Sequence, residues 1–186
     1  MQKIATDILG AWILEPDVFE DHRGIFFEAY NREVFMELGI HDVFVQDNHS
    51  SSVEGVLRGL HFQYPPHGMS KLVRCTRGRL FDVIVDMRQD SPSYKKWVGV
   101  ELSEENRRML YIPAGCAHGF FALSDCELLY KCGNVFHKPA DGGLAYNDPE
   151  IGIEWPLGDR EPILSERDCA QPSFDKIGSQ IGRAHV

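Results

Sequence analysis

The feature that most constrains this chain is a succession of short apolar segments between residues 53 and 136, cut by Gly, Pro or a polar turn. "KLVRCTRGRLFDVIVDM" alternates on both sides of Arg77-Gly78, which predicts two strands joined by a tight hairpin turn. "KWVGVELS" and "RMLYIPAG" flank the polar loop "EENRR", and "HGFFALS" and "ELLYKCGNVF" follow around another short turn. Strands of this length and spacing predict an all-β sandwich or barrel. One stretch reads clearly as helix, "NREVFMELGI" (31–40). Asn31 can cap it, Val34, Phe35 and Leu38 share a face, and Gly39 can stop it. From about 137 the chain is rich in Pro, Gly and Asp and is expected to wrap the β core as loops with one or two short helices. Its last residues, about 177–186, read as a mobile tail.

A chain of 186 residues suffices for one domain, 1–186, with a sizeable core, and 43% hydrophobic with 25% charged residues is ordinary for a soluble protein. The net charge of −9 argues against sequence-independent nucleic-acid binding, which basic residues drive. A small anionic ligand stays open, because a few arginines set the sign of one pocket. The five cysteines, at 75, 116, 126, 132 and 169, are odd in number and form no C-x-x-C pair. That excludes a disulfide scaffold or structural zinc as first readings and suits reduced thiols in a cytoplasmic protein. No apolar run of about 18 residues is present to span a membrane, and the opening has no signal-peptide pattern.

The stretch "VLRGLHFQYPP" (56–66) is anomalous as a strand. Alternation puts Leu57, Gly59, His61 and Gln63 on one face and Leu60 and Phe62 on the other. A polar stripe of this kind suits the wall of a pocket at a barrel mouth. His61 is then either a tied-down core histidine or a working one, because burial without a partner costs free energy. Arg58 has the wrong parity for this face and needs either a bulge at Gly59 or a neighbouring subunit to join it.

"YIPAGCAHGF" (111–120) contains Pro-x-Gly-x-x-His, which resembles the second sequence motif of the cupin superfamily. There the Pro-Gly turn aims the histidine into the barrel. Metal-binding cupins also carry a first motif with two histidines one residue apart and a Glu. Here that motif is "HFQ": Gln63 replaces the second histidine, and no Glu follows nearby. No metal is therefore expected, and His118 becomes a substrate contact or a second base.

The blocks "GVLRGLHFQ", "KLVRCTRG", "FDVIVDMRQDSPSY", "WVGVELSEENRRMLYIPAGCAHGF", "LLYK" and "NDPEIGIEWP", in this order, resemble the dTDP-4-dehydrorhamnose 3,5-epimerase family from about residue 4 to about 170. The resemblance implies a cupin-like jelly-roll β-barrel with a few short peripheral helices and a homodimer without cofactor or metal. It implies a dTDP-sugar substrate, a dTDP-4-keto-6-deoxyhexose epimerised at the two carbons flanking its C4 ketone. Such chemistry needs a base on one face, a cation at the enolate oxygen and an acid on the opposite face.

On that resemblance His61 matches the base, Asp168 the carboxylate that fixes its tautomer, Lys71 the cation and Tyr130 the acid. Arg23, Glu28, Gln46 and Asn48 match positions that contact the nucleotide, some of them across the dimer. Arg58 matches a diphosphate contact, His118 a substrate contact and Phe136 a ring that stacks on thymine. Asp141 and Arg167 match two further substrate-binding positions. Read alone, Lys71 is a surface lysine opening a strand, Tyr130 an amphipathic strand tyrosine, and Arg23 with Glu28 a surface ion pair. Asp82 can orient Lys71 or His61, or can face solvent. The chain departs from the family pattern in four places: Asp141-Gly142-Gly143 for Glu-Arg-Gly, Val135-Phe136 for two rings, "MSK" for Gln-Gly-Lys, and Arg167 for lysine. A single-site epimerase, a non-catalytic sugar-binding cupin and a metal-dependent cupin oxygenase are the rival readings.

Overall fold

Strands β1 (Gln2–Ala5), β2 (Trp12–Glu15), β3 (Val18–Asp21) and β4 (Gly24–Phe27) lead into helix α1 (Arg32–Glu37). Strands β5 (Gln46–Ser52), β6 (Leu57–Gln63), β7 (Lys71–Arg77), β8 (Arg79–Asp86) and β9 (Trp97–Ser103) follow. Then come β10 (Met109–Ile112), β11 (Cys116–Ala122), β12 (Cys126–Cys132) and β13 (Asp141–Gly143), and helices α2 (Glu166–Cys169) and α3 (Phe174–Ile181). These elements come from a computed structural model that describes residues 1–181.

Two antiparallel sheets face each other, one in the order β1-β2-β10-β7-β12-β5 and one in the order β13-β6-β11-β8-β9. The architecture is the expected all-β jelly roll, but its sheets form a sandwich and do not close into a barrel. Between them lies a core of Val73, Cys75, Leu80, Ile84, Leu110, Phe120 and Leu128, among others. Outside the first sheet, Phe35 of α1 and Ile40 pack on Leu14, Leu72 and Met109. Outside the second, Leu144, Ile151 and, from α3, Phe174 and Ile177 cover Leu60, Phe62, Val83 and Val85. Both sheets are thus buried on both faces, which explains why strands such as β8 and β11 carry apolar residues on each parity.

The tight hairpin expected at Arg77-Gly78 is not there. β7 pairs with β10 and β12, β8 with β9 and β11, and Gly78 (φ +68) turns the chain from one sheet into the other. Alternation records which side chains are buried, and it looks the same whether a turn joins paired strands or crosses between layers. β1 to β5 were not foreseen: β1, β3 and β4 are mostly exposed and carry no buried stripe, and β5, "QDNHSSS", is polar throughout. The predicted helix at 31–40 is shorter, 32–37, and Asn31 does cap it, accepting from the Glu33 amide at 3.0 Å. Part of the stretch expected to be mobile is helical, with α3 running through 181 and Ile177 buried. Residues 182–186 lie outside the described residues.

One buried ionic knot supports the sandwich edge. Asp86 is fully buried and accepts from Arg88 Nε at 2.8 Å, Arg88 Nη2 at 2.8 Å and the Arg88 amide at 3.0 Å, and from Ser91 and Ser93 hydroxyls. Burial pushes this carboxyl up, but those bonds outweigh it and hold it below the usual carboxylate range. Replacing it leaves a guanidinium and two hydroxyls without their acceptor. Asp86→Ala is therefore expected to cost about 3 kcal/mol in urea denaturation. With a folded pKa below the unfolded one, the stabilisation is complete above the unfolded value and is lost as pH falls through the folded one. The variant should accordingly show a weaker loss of stability than wild type below about pH 4; equal acid profiles would count against this assignment.

Candidate active site

The glycines of β6 and β11 decide which side chains meet. The β6–β11 register slips by one residue between His118 and Phe120, and the extra residue falls on β6 around Gly59. Gly59 has φ +130, and a Cβ there would sit 2.5 Å from Gly119 Cα; a Cβ on Gly119 would sit 2.6 Å from the Arg58 carbonyl. Only two facing glycines let the backbones approach this closely. The bulge resets parity, so Arg58 joins His61 at one cavity, as a bulge at Gly59 was expected to allow.

That inner cavity, of about 180 Å³, is lined by Ser50, Arg58, His61, Lys71, His118 and Tyr130, with Phe120 and Leu128 at its apolar wall. It opens through His61, Lys71 and Tyr130 into an outer cavity of about 450 Å³, whose walls include Gln46, Asn48, Phe136, Asp141 and Arg167. Period 2 explains the set. Lys71 is the inward parity of β7 with Val73 and Cys75, His118 that of β11 with Phe120, and Tyr130 that of β12 with Leu128.

His61 Nε2 lies 2.6 Å from Asp168 Oδ1. Asp168 is only 5% exposed and sits on α2, whose N-cap Ser165 both accepts from the Asp168 amide and donates its hydroxyl to Asp168 Oδ2 at 2.8 Å. Burial raises this carboxyl, but the bonds from His61 and Ser165 prevail and hold it below the usual range. An ionised Asp168 accepts Nε2–H, so Nδ1 is the basic nitrogen of His61. Ser165 was missed from sequence, although Ser-x-x-Asp ahead of a short helix is a capping signal.

A second pair lies deeper. Buried His118 points Nε2 at Asp82, 2.9 and 3.1 Å from its two oxygens, and Nδ1 at Lys71 Nζ, 3.4 Å away. Asp82 thus orients His118, rather than Lys71 or His61, and is fully buried rather than solvent-facing. Desolvation lowers the His118 pKa, with Asp82 opposing and Lys71 reinforcing. The neutral imidazole donates from Nε2 and accepts from Lys71 at Nδ1. Desolvation also lowers the Lys71 pKa, while Cys132, Asp82 and Asp141 pull it back up. Burial raises the Tyr130 phenol, against a hydrogen bond from Asn48 and the charge of Arg58. Cys132, which neighbours Lys71, gave no signal in the sequence.

At the rim Arg167 Nη2 lies 2.7 Å from Asp141 Oδ2. Arg58 donates to Ser52 Oγ at 3.0 Å and to the Ser51 carbonyl at 3.0 Å. Arg23 and Glu28 are not brought to either cavity of this chain. Arg23 is paired with Asp21 at 2.6 Å on the β3–β4 hairpin, and Glu28 accepts from Asn31 just beyond it. Among the described residues, no group of three His, Cys, Asp or Glu is placed to hold a metal ion.

The family model described as dTDP-4-dehydrorhamnose 3,5-epimerase matches residues 5–176. A relative of that name from Salmonella typhimurium is 52% identical over 175 residues, 93% of this chain and 95% of its own. A crystal structure of dTDP-6-deoxy-D-glucose-3,5-epimerase from Legionella pneumophila, in complex with dTDP-4-keto-L-rhamnose, superposes with a TM-score of 0.92 at 43% identity, over 97% of this chain and 96% of that one. A 3'-monoepimerase from Streptomyces bikiniensis, in complex with dTDP-quinovose, superposes with a TM-score of 0.86 at 34% identity, over 95% and 93%. With its match running through nearly every described element, this chain belongs to the dTDP-4-dehydrorhamnose 3,5-epimerase family.

Proposed function

We propose that this chain epimerises dTDP-4-dehydro-6-deoxy-D-glucose at C3 and C5 to dTDP-4-dehydro-L-rhamnose, for dTDP-L-rhamnose synthesis in the cytoplasm, with residues 1–186 acting as one domain. The observation that carries the reading is an imidazole tied to an ionised carboxylate, an ammonium and a phenol around one inner cavity.

His61 Nδ1 takes the proton next to the ketone; the C–H electron pair moves to the carbonyl oxygen as an enolate. Lys71 Nζ stabilises that oxygen, and desolvation strengthens the interaction. Tyr130 returns a proton to the other face of the carbon, leaving a phenolate that Asn48 and Arg58 favour. His118, fixed by Asp82, orients Lys71. Arg58 binds diphosphate at the inner cavity, and Gln46, Asn48, Phe136, Asp141 and Arg167 hold the nucleotide in the outer one.

Arg23 and Glu28 enter this scheme through a homodimer. The β3–β4 hairpin exposes Phe19 at 66% and Phe26 at 71%, with Val18 and Ile25 beside them. Contiguous apolar exposure of this kind suits a protein interface, and a partner subunit's cavity is the destination we assign to the hairpin's Arg23 and to Glu28.

The test is proton NMR of dTDP-4-dehydro-6-deoxy-D-glucose with the protein in D₂O. Loss of both the C3 and C5 signals is expected. Loss of one alone would place the chain with single-site epimerases, a reading that the Streptomyces relative keeps in view. Loss of neither, with binding intact, would leave a sugar-nucleotide binding protein. In the same assay Tyr130→Phe should keep exchange but reduce inverted product, at C5 preferentially, by about 10²-fold. Unchanged product would mean that another acid acts on that face.

A further inference from the structure

Gln63 has no place in the proton-transfer scheme, yet its side chain is among the most heavily bonded near the site. It is 6% exposed. Its Nε2 donates to the His67 carbonyl at 2.7 Å and to the Val135 carbonyl at 3.3 Å, and its Oε1 accepts from the His137 amide at 2.6 Å. These partners belong to two loops, the one between β6 and β7 and the one after β12. The loops touch again where the His67 and His137 rings stack, with centroids 3.7 Å apart and planes 5° apart.

Between Val135 and His137, which Gln63 holds on the second loop, lies Phe136. Its amide donates to Gln46 Oε1 at 3.1 Å, and Gln46 in turn donates to Asn48 Oδ1 at 3.0 Å. Three consecutive residues, 135 to 137, are therefore pinned by two glutamine side chains. Gln63 comes from one sheet and Gln46 from the other, so the segment spans the open end of the sandwich. Phe136 is 54% exposed, so neighbours cover less than half of its surface and packing fixes it only weakly. Its position at the cavity wall depends on the backbone on either side.

We infer that Gln63 is a positioning residue for nucleotide binding: its amide clamps the two rim loops together and so presents Phe136 to the thymine base before substrate arrives. The inference rests on the epimerase reading above. Both orientations of hydrogen bonding are needed, because the amide donates to two carbonyls and accepts from one N–H. A carboxylate in its place keeps the acceptor, loses both donors and sets a charge against two carbonyl oxygens. Ordering the loop in advance lowers the entropic cost of binding. The clamp acts on affinity and leaves the enolisation step alone.

The experiment compares wild type with Gln63→Glu and the near-isosteric Gln63→Met, measuring calorimetric Kd for thymidine 5′-diphosphate and the kcat and KM of C5 deuterium exchange. Both variants are expected to bind the diphosphate about tenfold more weakly, with KM rising in step and kcat at saturation within about twofold. On a Phe136→Ala background the Gln63 substitutions should cost little further affinity, since the ring they position is gone. Unchanged Kd, a fall in kcat at constant KM, or full additivity with Phe136→Ala would each overturn the proposal. So would failure of both variants to fold, which would make Gln63 a support of the whole sandwich. Wild type that neither binds the diphosphate nor exchanges would instead sink the epimerase reading itself.

Discussion

His61→Asn is expected to lower deuterium incorporation at C3 and C5 by about 10³-fold or more while thymidine 5′-diphosphate still binds within a few-fold of wild type. Asparagine keeps a group near Asp168 but has no basic nitrogen. Arg58 and Phe136, to which the diphosphate and the base are assigned, are untouched by the substitution, so binding should survive. Asp168→Asn tests the same pair from its other end. An amide at 2.6 Å from His61 Nε2 can donate to that nitrogen, which would move the ring proton to Nδ1 and remove the base's lone pair. Its exchange rate should fall by about 10²-fold or more. Exchange at the wild-type rate in either variant would remove the dyad from the mechanism.

Lys71→Met is expected to lower kcat for exchange at both carbons by about 10²–10³-fold, because one cation serves the enolate whichever side of the ketone loses its proton. The thioether fills the space of the lysine stem, so the inner cavity should keep its shape. The symmetric loss separates Lys71 from Tyr130, whose replacement should affect one carbon more than the other. Stability should change little or rise, since desolvation disfavours the ammonium. A variant that loses exchange only at C5 would show that Lys71 serves one face and not the ketone oxygen. Dichroism and a diphosphate Kd close to wild type would exclude a collapsed cavity as the cause.

Strands were legible where short apolar segments stand between Gly, Pro or polar turns, as in β7, β8, β11 and β12. The same rule passed over β5, because its inward residues Gln46, Asn48 and Ser50 are polar and face a cavity. It also misread Gly78. A glycine of positive φ marks a turn, but only the partners of the flanking strands decide whether the chain doubles back or changes sheet. The bulge at Gly59 was legible as one of two alternatives for a chemical reason: Arg58 could join His61 only through a bulge there or from a neighbouring subunit. Gly119, which the close approach equally requires, lies on another strand and carried no local hint.

The sequence by itself determined the all-β class, the capped helix and, through its matched blocks, the family and the residue types of an enolising site. The resemblance implied that Asp168 meets His61, and the fold brings them together across 107 residues of chain. Only the tertiary structure decided the other partnerships. Asp82 serves His118 rather than Lys71 or His61, Ser165 holds the second oxygen of Asp168, and Gln63 ties two loops together. Periodicity depends on each residue's own side chain and its near neighbours, so it survives in one dimension. Hydrogen bonds of a few ångströms between distant segments depend on register, bulges and sheet order, which the whole packed chain sets at once.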